Sequence, residues 1–410
     1  MRFLLSTALF LACALAGNAQ SGAKRSVSDA EVERVHRSAI LIDTHNDVTS
    51  FTVEGSDIGK PDPERHTDLP RMKKGGMGAQ FFAVYVAASY VEGNRSANRT
   101  LEMIDTVKHD IVERYPGDLQ FATSVAGIRA ARREGKIAAL MGIEGGHAIE
   151  DSLRLLRRFY DLGIRYMTLT HSNSNNWADS SGDIEKPHDG LAPFGEEVVA
   201  EMNRLGMMVD ISHVSDATFW DVMRVSKAPP FASHSSARAL ANIPRNMTDD
   251  MIQALGKRGG VIQINFGCEF LSQKSADASA AARPKMMAAM RELGTKYKND
   301  PEGLKVARRE MFRNMRRDFP SVPATIEDVV AQIDHVVKIA GVGAVGIGSD
   351  FDGVGCVPVG LSDVGMWPNL TRALLERGYS QEEIQKIYGE NLLRVMGATE
   401  KVAAEAGAGR

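Results

Sequence analysis

His45 with Asp47, then Glu144, His171, His213, His234 and Asp350 stand at the ends of short apolar runs, so six of the eight such runs end in a residue able to bind or work a metal. Imidazole and carboxylate together favour borderline divalent ions. His45 and Asp47 on one side, His213 and His234 on the other, and Glu144 bridging between them form a donor set for two Zn²⁺ ions. A pair of ions roughly 3.5 Å apart can share a water, lower its pKa toward neutrality and polarise a carbonyl oxygen. That is the chemistry of amide hydrolysis without a covalent intermediate. Asp350, within Gly348-Ser349-Asp350-Phe351-Asp352-Gly353, is the natural proton shuttle from bridging water to leaving amine. Asp352 competes for that role but is expected to be a hydrogen-bonded loop carboxylate. Arg245 offers a bidentate fork for a substrate carboxylate, against the plainer reading of a surface arginine. Any one of these histidines alone reads as a satisfied core or surface residue; four of the chain's ten falling at strand ends do not.

The elements that must position these residues are βα units. The apolar runs at 39–43, 78–86, 137–143, 165–170, 207–211, 230–233, 260–266 and 345–349 are rich in β-branched and small residues, as strands buried in a parallel sheet are. Amphipathic helices are expected at 151–162, 193–205, 215–226, 248–256 and 325–340, the crossovers that parallel strands need. Eight such units predict a (β/α)8 barrel, in which ligands far apart in sequence converge at the C-terminal strand ends. Tyr85 and Tyr90 either face that pocket or pack, and Asn265 lies near the end of the seventh run. The stretch 272–317 reads as an added helical pair after strand seven whose charges form a solvated face, with a leader helix within 20–38 and terminal helices after Tyr379.

The 410 residues, 43% hydrophobic and 25% charged, fit one large domain, within the range of barrels with insertions. A net charge of −3 without a single-sign run argues against nucleic acid or an anionic membrane surface as partner. Residues 1–19 read as a signal peptide: Arg2, an apolar run at 3–16, then Gly17, Asn18 and Ala19 as a small-residue cleavage site. The mature barrel domain is then 20–410, exported, with no later segment apolar enough to span a membrane. A minority reading makes Cys13 a lipid-modified cysteine, and 401–410 offers no hydrophobic tail for an anchor. Of the remaining cysteines, Cys268 and Cys356 could form one disulfide, but two buried free thiols are the favoured expectation.

Ile42-Asp43-Thr44-His45-Asn46-Asp47, Gly142-Ile143-Glu144-Gly145-Gly146-His147, Leu169-Thr170-His171-Ser172-Asn173, Asn176-Trp177-Ala178-Asp179, Asp210-Ile211-Ser212-His213, Ala232-Ser233-His234-Ser235-Ser236-Ala237-Arg238, Arg245-Asn246 and the Asp350 motif together resemble the renal or membrane dipeptidase family, over nearly the whole mature chain. The resemblance implies a zinc dipeptidase with His45 and Asp47 on one zinc, His213 and His234 on the other and Glu144 bridging. It also implies His171 at the scissile carbonyl, Arg245 on the dipeptide's C-terminal carboxylate, Asp350 as acid and base, and a homodimer. His147 is left outside the site. Animal members carry disulfides and a lipid anchor, and this chain lacks the cysteines near His171 and the hydrophobic tail, so a soluble or lipid-tethered bacterial form is expected, exported to the periplasm or secreted. The sequons at Asn94, Asn98, Asn246 and Asn369 are taken as chance, since Asn246 abuts Arg245. Two other readings share these residues: a barrel amidohydrolase acting on another amide, lactam or ester, and a small-molecule-binding protein without turnover. Loss of turnover on replacing Asp350 separates a catalyst from a binder.

Overall fold

Ile137–Glu144 contains no outward polar position, and all eight of its residues are buried. This is the condition of a strand covered on both faces, and it holds around a ring of parallel strands. The structure, a computed structural model, describes residues 25–408 except 301–302, 305, 308–309, 312–313 and 315–321. The expected signal segment 1–19 lies outside the described residues. The strands are β1 (Leu41–Asn46), β2 (Met77–Tyr85), β3 (Leu119–Phe121), β4 (Ile137–Glu144), β5 (Ile164–Thr168), β6 (Met208–Asp210), β7 (Phe231–Ser235), β8 (Val261–Ile264) and β9 (Val345–Ile347). Hydrogen bonds link them in the order β1-β2-β4-β5-β6-β7-β8-β9. Every ladder is parallel, and an Asn46–Phe351 bridge joins the first strand to the segment after the last. The architecture is the expected (β/α)8 barrel.

β3 is the strand that the hydrophobic pattern did not announce. It pairs with residues 137–139 of β4, below Met141, where pairing with β5 begins. Its Leu119-Gln120-Phe121 is interrupted by a polar residue and lies in no longer apolar run, unlike the equally short β6 and β9, which sit within the runs 207–211 and 345–349. Strand ends also differ from expectation: β5 stops at Thr168 and β6 at Asp210, so His171 and His213 ride on loops rather than on strand termini.

The crossover helices form where amphipathic spacing meets a cap. Ser152, Ser215 and Thr248 each accept a backbone N–H from the first turn of the helix that follows, which satisfies a donor the helix cannot. These caps sit just outside Leu153–Leu162, Asp216–Val225 and Asp249–Lys257, so the observed helices start one or two residues later than expected. The leader helix is Asp29–Ser38 and the C-terminal helix Asn391–Ala408. The excursion after β8 begins with Gln273–Lys296; the expected second helix falls on a stretch that is only partly described. Among the described residues no helix is long and apolar enough to cross a membrane.

Cys268 and Cys356 are joined as a disulfide, which corrects the free-thiol expectation. β8 and β9 are neighbours, and the loops leaving them meet: Cys268 N donates to Cys356 O at 3.1 Å and the two Cα atoms lie 5.5 Å apart, within bridging range. Asn246 is buried and donates to the carbonyls of Ala241 and Phe270, so its sequon is sealed inside the fold.

Candidate active site

β1 is buried at every position, and Asp43, His45 and Asp47 alternate along it and its extension onto one face. His45 Nδ1 lies 2.9 Å from Tyr166 Oη, which in turn donates to Thr44 O at 3.0 Å. The phenol proton is thereby committed to Thr44, so His45 donates from Nδ1 and turns Nε2 toward the carboxylates. That Nε2 is buried without a hydrogen-bond partner, 3.3 Å from Asp47 Oδ2 and 3.5 Å from Glu144 Oε2. Gly142 makes room for this arrangement, because a Cβ there would collide with the Tyr166 ring.

A second relay orients His234 on β7. Its Nδ1 faces Ser233 Oγ at 2.7 Å, and Ser233 donates to Asp210 Oδ2 at 2.6 Å. Asp210 also accepts the N–H of Ser212 at 3.0 Å and of Ser233 at 2.8 Å, so it is fixed from both sides. His213 follows β6 with φ of +66°, a left-handed turn uncommon for a histidine, and its side chain returns to the barrel axis. His213 Nε2 and His234 Nε2 are 3.0 Å apart and lie 3.0 and 3.2 Å from Glu144 Oε1. Glu144, the last residue of β4, thus faces two histidines with one oxygen and His45 with the other.

These donors fit divalent metal. Bonds of about 2.0–2.1 Å give tetrahedral donor-to-donor edges of roughly 3.3 Å, close to the observed separations. His45, Glu144 and His234 form one candidate ligand group; His45, Asp47 and Asp350 form another. Burial opposes a charge on His45, yet Tyr166, Glu144 and Asp47 around it raise its pKa well above the ordinary value: the cluster demands a positive charge. Burial holds His213 and His234 well below the usual imidazole value, helped by Arg245 with His171 for the first and by His45 with Arg245 for the second. Both are therefore neutral, as metal ligation requires.

Asp350 also has a left-handed φ, +60°. Its N–H donates to His45 O at 3.1 Å, and its Oδ2 accepts from Asn265 Nδ2 at 2.7 Å. Burial pushes its carboxyl well above the usual range; His45 opposes this and Asp47 and Glu144 add to it. Gly353 is required here because an added Cβ would strike both Asp350 Oδ1 and Asp47 Oδ2. Asp352, as expected, is hydrogen-bonded in the loop, accepting from His66 N at 2.8 Å. Arg245 is no surface arginine: burial lowers its pKa to about 10, leaving it charged at neutral pH. It donates to Ser235 Oγ at 2.8 Å and His234 O at 2.9 Å, while its Nε is buried without a partner. Among the described residues no ion pair joins it to a carboxylate.

His171 stands further out, Nε2 3.8 Å from Glu144 Oε1, with its ring 4.9 Å from that of Tyr85. Tyr85 lines the cavity, whereas Tyr90 packs under Arg95 and Arg99. His147 hydrogen-bonds Val86 O at 2.9 Å and borders a smaller pocket, lined also by His171 and by none of the carboxylates named above. Asp47, Glu144, His171, His213 and Asp350 share one cavity of about 600 Å³. Sequence reasoning gave no role to Tyr166, Asp210, Ser233 or Gly353, although all but Tyr166 lie inside quoted motifs.

The sequence profile of the membrane dipeptidase family, peptidase family M19, matches residues 29–409. The chain belongs to that family. As a member it is a metallo-dipeptidase of the hydrolase class. It is similar in structure to the probable dipeptidase PvdM from Pseudomonas aeruginosa, with 26% identity and a TM-score of 0.76 over 91% of this chain and 98% of that one. A metallo peptidase from Rhodobacter sphaeroides, liganded with a phosphinate mimic of the dipeptide L-Ala-D-Ala, matches at 26% identity and TM-score 0.71, over 88% of this chain and 99% of that one. An amidohydrolase from Pseudomonas aeruginosa matches at 26% and 0.68, over 90% of this chain and 98% of that one.

Proposed function

We propose that this family member hydrolyses L,L and L,D dipeptides with two Zn²⁺ ions, His45 and Asp47 holding one, His213 and His234 the other, and Glu144 both. The observation that carries the reading is the division of Glu144, Oε1 toward His213 and His234 and Oε2 toward His45. When bound, the metal pair supplies Lewis acidity to the scissile carbonyl and to the attacking water.

The chain's own residues do the rest. Arg245, with its unpartnered Nε, takes the substrate's C-terminal carboxylate and fixes its register. His171 places an imidazole beside the carbonyl and donates to the oxygen as it gains charge. Asp350 accepts the water's proton on Oδ1 and returns it to the amine, while Asn265 occupies Oδ2 and keeps Oδ1 aimed into the cavity. Tyr166 and the Ser233–Asp210 relay hold the imidazoles in the tautomer that presents Nε2.

The disulfide supports an oxidising compartment. With the leader pattern at 1–19 it supports export to a bacterial periplasm, and the family supports a homodimer. The test is hydrolysis of L,L and L,D dipeptides by the purified chain before and after chelation, with zinc counted by elemental analysis. Two zincs with chelator-sensitive cleavage are expected; two zincs without cleavage would move the substrate to another small amide, and no metal would sink the site.

A further inference from the structure

One wall of the catalytic cavity is a single helix face. Along Gln273–Lys296, the residues Ser275, Ala278, Ser279, Ala282, Arg283 and Met286 line the cavity that also holds Glu144, His213 and Asp350. Their spacing is that of one helical stripe. From Ser275 to Met286 the stripe runs about 16 Å at 1.5 Å per residue, whereas the backbone of an extended dipeptide spans about 7 Å. The remaining length is therefore room for a side chain.

The chemistry of that room is apolar. Phe270, Val354 and the Cys268–Cys356 disulfide border it together with Ala278, Ala282 and Met286. Its two charged side chains are turned toward each other: Glu269 accepts from Ser279 Oγ and faces Arg283 at 3.9 Å. The end of the substrate that meets this wall follows from Arg245, whose guanidinium carbon lies 5.6 Å from the centre of the Phe270 ring and whose buried Nε lacks a partner. If Arg245 takes the C-terminal carboxylate, as in the function proposed above, Phe270 and the helix adjoin the C-terminal residue.

We propose that Phe270 and the helix Gln273–Lys296 form the pocket for the side chain of the dipeptide's C-terminal residue and select a bulky apolar or aromatic one. The small side chains at Ala278 and Ala282 set its size, and the disulfide ties the start of this wall to the loop after β9.

The test compares Ala-X with X-Ala dipeptides, X being Ala, Leu or Phe, for the wild type, Ala278→Leu and Ala282→Leu. Both substitutions put a strong helix former on a cavity-facing position, and melting curves verify folding. The wild type should favour Ala-Phe over Ala-Ala at least tenfold in kcat/KM. Each variant should lose tenfold or more on Ala-Phe, through KM, and less than threefold on Ala-Ala and Phe-Ala. A wild type indifferent to X in Ala-X, or losses spread equally over all substrates, would overturn the proposal. The same ranking is read by calorimetry on Asp350→Asn with and without Ala282→Leu. A kept ranking without wild-type turnover would defeat the hydrolytic reading and leave the pocket standing, whereas a flat ranking would remove the pocket.

Discussion

Gly353→Ala should disable the site while leaving the barrel folded. A Cβ built on Gly353 lies 3.0 Å from Asp47 Cγ and closer still to Asp47 Oδ2 and Asp350 Oδ1. Carbon and oxygen need about 3.3 Å, so the two carboxylates must retreat by on the order of 1 Å. Neither moves without consequence: Asp350 Oδ2 is bonded to Asn265 at 2.7 Å, and Asp47 Oδ2 sits 3.3 Å from His45 Nε2. A displacement of about 1 Å in a catalytic group lowers rate by roughly 10²-fold, or about 2.7 kcal/mol in the barrier. The assay is kcat/KM on a reference dipeptide together with zinc per chain, run beside a thermal melt. We expect the hundredfold loss, weakened metal retention, and a melting temperature within a few degrees of wild type. Full activity and full zinc in the variant would refute the reasoning, because the two carboxylates would then tolerate a displacement that this geometry forbids.

Tyr166→Phe removes the acceptor of His45 Nδ1–H, and loss of such a ligand partner weakens metal binding about 10–100-fold; competition with a chromophoric chelator measures it, and unchanged affinity would count against the relay. Reducing Cys268–Cys356, which spans a sequence separation of 88, should cost up to about 4 kcal/mol of stability, read as a lower urea midpoint with reductant; an unmoved midpoint would contradict this. Stability should also depend on His36, which burial holds below its ordinary value of 6.5, between Thr371 Oγ1 at 2.7 Å and Gly75 O at 2.8 Å. The folded chain keeps it neutral while the unfolded chain takes up a proton below pH 6.5. Its contribution is thus present above that pH and lost as pH falls, so urea unfolding should show a smaller acid loss in His36→Gln than in wild type. Arg245→Lys removes the planar fork and should raise KM for dipeptides at least tenfold with full zinc retained; an unchanged KM would free Arg245 of the carboxylate.

The barrel was legible because its strands are buried on both faces and announce themselves as continuous apolar runs, as β2 and β4 do. β3, Leu119-Gln120-Phe121, has a polar residue at its centre and no continuous apolar run around it, so it carries no such signal. That these histidines and carboxylates would gather was legible from residue type and placement, since so many at or just beyond strand ends have few other reasons to be there. What hid was whatever depends on partners across the barrel. Tyr166 reads in sequence as one more core aromatic, and only the parallel pairing of β4 with β5, with Gly142 leaving space for its ring, brings its hydroxyl to His45. The positive φ of His213 and Asp350 is equally invisible, because neither residue type demands it. The Cys268–Cys356 pairing depended on two loops meeting beyond adjacent strands, a matter of loop path rather than residue pattern.

The central claim is that Glu144 bridges two zinc ions, and anomalous scattering at the zinc edge from crystals of the purified chain tests it most directly. Two peaks are expected: one between Glu144 Oε1, His213 and His234, the other between Glu144 Oε2, His45 and Asp47, with Asp350 outside ligand distance of both. A single peak, or none within reach of Glu144, would contradict the account, and Asp350 bound directly to either ion would take from it the proton-carrying role.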